Sequence, residues 1–116
     1  MSIADFQAQG QFAPDRIAAL LLTTRDEIAS TVGLGRDSIA RKDRVGSPRT
    51  QRRLREMIEI VNQVAPRFGS AAMAYAWYRS EPLAGFDGRT AMQLVQDGKA
   101  QQVLEYVDAV DAGVFA

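Results

Sequence analysis

From Thr50 onward, Leu54, Met57, Ile58, Val61, Val64 and Ala65 recur at the i, i+3, i+4, i+7 spacing of a helix with one buried face. Arg52, Arg53, Arg55, Glu56 and Glu59 fall on its other face, and Pro66 to Gly69 are expected to end it. Upstream, Pro14 suits the first turn of a short helix whose apolar side is Ile17, Ala18, Leu20 and Leu21. Thr24 and Glu27 form a Thr-x-x-Glu capping box ahead of Ile28, Ala29 and Val32, and Gly33 closes that helix. A further helix begins after Gly35 with Ile39 facing inward, and Gly46-Ser47-Pro48 breaks the pattern.

Downstream, Ser70 caps a helix running to about Arg79, and Pro82, Gly85 and Gly88 mark a loop. Within it, Gly85-Phe86-Asp87-Gly88 reads as a plain turn rather than a phosphate cradle. Thr90 caps a short helix carrying Met92, Leu94 and Val95. Gly98 separates it from a last helix with the stripe Val103, Leu104, Val107 and Val110, which Gly113 ends. No strand alternation persists beyond four residues, so the reading is all-α, with six or seven helices. Residues 1–13 lack periodicity and read as a loose arm, from which Phe6 and Phe12 could tuck against the body. Met57, Met73 and Met92 read as core fillers.

Composition narrows the chemistry. The 116 residues are 47% apolar, enough for a core without metal or disulfide staples. There is no Cys and no His, which removes thiol nucleophiles, imidazole bases and zinc sites with N or S ligands. We expect no enzyme, no cofactor and no metal. No apolar run approaches the ~20 residues of a membrane span, and a cytoplasmic protein without membrane contact is expected.

Charge adds an asymmetry. The 14 basic and 14 acidic residues cancel overall. Between Arg36 and Arg55, however, eight basic residues face two acids, a local net of +6. From Glu81 to Ala116 six acids face Arg89 and Lys99, a local net of −4. Such polarity suits a polyanion at one end and a different partner at the other.

Two short helices about a glycine turn form a helix-turn-helix unit, which can present its second helix to a DNA major groove. Ala29 is small where the helices approach, Gly33 is the turn and Ile39 anchors the second helix. That helix exposes Arg36, Asp37, Ser38, Arg41 and Lys42 toward base edges, and Arg44 and Arg49 suit phosphates. The alternative is a hairpin used only for packing or dimerisation. Neutralising six phosphates gives a slope near −5 for log affinity against log salt, at ~0.9 per phosphate. One module buries only about 600–1,000 Å² on DNA, so a homodimer is expected. The Leu54–Ala65 stripe serves either as its interface or as intramolecular core.

Trp77, Pro82-Leu83, Gly85, Thr90, Leu94, Gly98, Val103, Leu104 and Gly113 form a spaced set in the segment from Ala76 to Ala116. That segment resembles the toxin-binding domain of the MbcA/ParS/Xre antitoxins, with the helix-turn-helix upstream as in that family. The ending Ala112-Gly113-Val114-Phe115-Ala116 resembles the MbcA-like branch, whose partners are RES-domain toxins. The resemblance implies an antitoxin that neutralises an NAD-consuming RES-domain toxin by blocking its active site and, with it, represses its own operon. The implied organisation is 1–13 arm, 14–66 helix-turn-helix region and 67–116 toxin-binding domain. The candidate toxin contacts are Trp77, Tyr78, Asp108, Asp111, Gly113, Val114, Phe115 and Ala116. Asp108 and Asp111 lie near a helix C-terminus, where the dipole disfavours acids, which is consistent with a basic partner. Phe115 is a suitable apolar anchor, unless it folds back on its own core. The rival readings are a helix-turn-helix regulator without a toxin and a purely structural adaptor.

Overall fold

The computed structural model describes residues 2–40 and 42–113, and at positions 37, 40, 42 and 43 the backbone alone. The central element is the long helix α5, Pro48–Phe68. Ser47 caps it by accepting from the Thr50 N–H at 3.2 Å, and Pro48 occupies the first turn, where its missing N–H costs nothing. The Ser-Pro pair is thus a start signal for α5 as well as a break in what precedes it. The predicted stripe is buried: Leu54, Met57, Ile58, Val61 and Val64 are fully inaccessible and Ala65 nearly so. It is intramolecular core, so a dimer interface built on it is ruled out. Pro66 sits inside the last turn rather than ending the helix. It removes a single i→i−4 bond there, and Gly69 closes the helix.

Against α5 pack α6 (Ala71–Ser80), α7 (Ala91–Gln96) and α8 (Ala100–Asp111), while α1 (Pro14–Leu20) packs against α2 (Arg25–Thr31). The short segments α3 (Asp37–Ala40) and α4 (Lys42–Val45) flank Arg41, which lies outside the described residues. One continuous core draws Ile17, Ile28 and Ile39 together with Tyr78, Leu94 and Val103. The all-α reading holds apart from one small hairpin.

That hairpin corrects the reading of residues 1–13 as a loose arm. Ser2 and Asp5 form a capping box on a single 3-10 turn, Ile3–Phe6. The strands β1 (Gln7–Ala8) and β2 (Gln11–Phe12) then pair antiparallel. Gln9 and Gly10 between them both have positive φ, 54° and 78°, as a type I′ two-residue turn requires. Gln51 of α5 accepts from the Phe12 N–H at 2.8 Å and donates to its carbonyl at 3.0 Å, imitating a further strand. Phe6 and Phe12 enter the core.

Two further expectations change. Thr24 caps α2 by accepting from the Glu27 N–H at 3.1 Å, but the Glu27 carboxylate turns away to pair with Arg79 of α6, so only half the capping box forms. A full box forms at Thr90 and Gln93 on α7. Met73 is exposed rather than a core filler, because it lies on the outer side of α6. Gly85 to Gly88 do form a turn, held by Leu83 N–H to Arg89 O at 2.9 Å.

Candidate functional site

Of the positions read from the sequence as a helix-turn-helix, Ala29 lies on α2, Gly33 in the turn after it and Ile39 on the short segment α3. Ala29 and Ile39 are buried, and Gly33 takes φ +75°, a left-handed turn that a side chain resists. Two cross-links fix the unit. Arg25 of α2 donates from Nη2 to the Ile39 carbonyl at 2.6 Å and also pairs with Asp15 at 3.2 Å. Gln96 of α7 donates to the carbonyl of Thr31 at 2.9 Å and to that of Ser30 at 3.3 Å, which also accepts from the Gly33 N–H at 3.0 Å. Arg36, Arg44 and Arg49 are exposed and Ser38 is half-buried. Arg36 reaches Asp26 at 3.4 Å across the surface. The side chains of Asp37 and Lys42, and Arg41 as a whole, lie outside the described residues.

At the other end, α8 runs in the same direction as α5. Gln63 donates to Asp108 at 2.6 Å and to Asp111 at 3.2 Å, and Arg67 donates to Asp111 from two nitrogens. The Arg67 guanidinium, seconded by Gln63, holds the Asp111 carboxyl below the usual carboxylate range. Arg67 also reaches the Val107 carbonyl at 3.3 Å, near the C-terminal end of α8. Both acids therefore have internal cationic or amide partners, and the dipole cost of placing them there is met within the chain. Val114, Phe115 and Ala116 lie outside the described residues.

Residues 63–113 match the family model of the antitoxin Xre/MbcA/ParS C-terminal toxin-binding domain. This segment, somewhat under half of the chain, is therefore similar to the toxin-binding domain of that antitoxin family. Comparison with curated proteins and with solved structures gave no match. The matched segment begins in the last turns of α5 and takes in α6, α7 and α8.

Within it the aromatic residues separate. Tyr75 and Tyr78, three apart on α6, both face inward. Tyr75 shares a 2.8 Å hydrogen bond with Thr31, and the Arg79 guanidinium lies 4.7 Å from its ring centroid. Burial raises its phenol pKa, an effect that the Thr31 bond opposes. Tyr78 is fully inaccessible, and its hydroxyl has no hydrogen-bond partner among the described residues. Burial pushes that phenol far up, and the Glu56 charge adds to the shift. Tyr78 is therefore removed from the candidate toxin contacts: it is a core residue that keeps its proton.

Trp77 faces outward by half and lies beside Phe68, ring centroids 6.2 Å apart. Phe68 and Met73 are exposed apolar residues of the matched segment, where the sequence places Phe68 in a helix stop and Met73 in the core. Leu22 is 82% exposed at φ 57°, between α1 and α2, with no sequence signal to mark it. No three His, Cys, Asp or Glu residues stand close enough to hold a metal among the described residues. No helix there is long and apolar enough to cross a membrane.

Proposed function

We propose that this antitoxin neutralises a RES-domain toxin that degrades NAD, by inserting residues Gly113 to Ala116 into the toxin's active site. The family match over residues 63–113 carries the reading, and it stops where this segment begins. The MbcA-like ending supports the choice of a RES-domain partner. Trp77, Asp108 and Asp111 complete the proposed toxin contacts, and the two carboxylates are held by Gln63 and Arg67. Acidic residues complement the basic groups with which a site for a dinucleotide must hold pyrophosphate.

The same chain, as a homodimer and together with the toxin, binds its own operator through the helix-turn-helix. The buried Ala29 and Ile39 about the turn at Gly33 support this reading, as do the exposed Arg36, Arg44 and Arg49.

Co-expression with a RES-type neighbour gene tests the first part. The two proteins should co-purify, and cellular NAD should recover. Deleting Gly113 to Ala116 should abolish protection without changing the melting temperature. Undiminished protection by the truncated chain removes the insertion. A gel shift on the chain's own promoter, across a salt series, tests the second.

A further inference from the structure

Beyond the helix-turn-helix, a groove of about 360 Å³ opens where the first turns of α5 meet the α7–α8 connection. Arg49, Arg52, Arg53, Glu56 and Gly98 line it. The four α5 positions follow i, i+3, i+4, i+7 and so share one face of that helix. Three guanidiniums there meet a single carboxylate. Arg49 and Arg52 are exposed and take part in no hydrogen bond or ion pair among the described residues. Arg53 differs: it is half-buried, and its Nη1 donates to the Val95 carbonyl at 3.2 Å, which anchors its guanidinium at the end of α7. The opposite wall is Gly98, where a Cβ would meet nothing within 4 Å.

The setting favours an external anion. The first turn of α5 holds no acidic residue, although acids are the residues a helix start stabilises. The arginines instead add to the positive end of the dipole, and among the described residues no acid pairs with Arg49 or Arg52. In sequence the groove's arginines follow directly on Arg44 and the turn before α5.

We propose that this groove seats the phosphodiester backbone of double-stranded DNA, with Arg49 and Arg52 as the phosphate contacts and Arg53 as their fixed floor. Arg52 and Arg53 are thereby added to the DNA-contacting set. The proposal rests on the DNA-binding reading and extends it. Guanidiniums pair with phosphate oxygens through two parallel N–H donors, and backbone contacts position a protein without reading sequence.

The test measures affinity by fluorescence anisotropy for a promoter duplex and a random duplex of equal length, across a salt series. Arg52→Ala should weaken both duplexes by the same factor, roughly three- to tenfold at low salt. It should also flatten the log affinity–log salt slope by about 0.9. Arg49→Ala combined with Arg52→Ala should flatten it by about 1.8. Arg52→Lys should keep the slope, and Arg16→Ala, on α1, should leave both quantities near wild type. Melting curves of all variants should coincide.

Unchanged affinity and slope in the double variant overturn the groove and leave the operator reading standing. Binding of both duplexes equally by wild type, with an Arg52-dependent slope, supports the groove and removes the operator reading. Binding of neither duplex overturns both. Loss of toxin co-purification in the double variant, with DNA affinity intact, assigns the groove to the toxin and overturns the proposal.

Discussion

Arg67 and Asp111 meet through one carboxylate oxygen, which accepts from Nε at 3.1 Å and from Nη2 at 2.6 Å. The pair ties the last turn of α5 to the last turn of α8 on a partly exposed surface. Its contribution to stability is therefore small, at most about 1 kcal/mol. The lowered folded pKa of Asp111 sets the sign of its pH dependence. The contribution is fully present above the ordinary carboxylate range and is lost as pH falls through the lowered value. Urea unfolding of Asp111→Asn should show a loss of at most about 1 kcal/mol at pH 7, shrinking toward zero in acid. A deficit that persists unchanged at low pH would mean that the carboxylate is not the source.

Tyr78→Phe should leave stability unchanged or raise it by about 1 kcal/mol, since it deletes a buried hydroxyl with no partner among the described residues. Toxin neutralisation should be unaffected. Thermal melting and the co-purification assay check both halves. A variant that folds and melts like wild type yet no longer neutralises would return Tyr78 to the interface.

Gly33→Ala forces a side chain into φ +75° and brings its Cβ to 3.4 Å from the Gln96 Cγ. We expect a loss of about 1–2 kcal/mol. The lowered melting temperature should be accompanied by weaker promoter binding, because the turn sets the angle between α2 and the segments after it.

Phe6→Ala should cost about 3–5 kcal/mol, the usual range for a fully buried phenylalanine. Deleting residues 1–13 should cost as much or more. A truncation that melts like wild type would show that the hairpin adds nothing to the core.

Elements were legible in the sequence where a period repeated often enough to register. The Leu54–Ala65 stripe spans more than three turns and predicts α5 almost by itself. The hairpin was hidden because each strand is only two residues long, too short for alternation, and because its order depends on Gln51, 39 positions away from Phe12. Gln96 and Arg25 were missed for the same reason: their partners are backbone carbonyls that no sequence pattern announces. On α6 the period alone shows that the three aromatic residues cannot share a face, but not which of them turns out; packing against Thr31 decides it for Tyr75, and Tyr78 follows three residues on. Asp108 and Asp111 looked uncompensated only because their partners lie on the distant α5.

The 21 residues of α5 extend about 30 Å at 1.5 Å per residue. Its arginine-rich opening turns and the turn that braces α8 stand at opposite tips of this one rigid strut. Two bulky guests, one at each tip, need not jostle. Occupancy at one tip leaves the other open, so any crosstalk between them must pass lengthwise through the strut rather than by steric crowding.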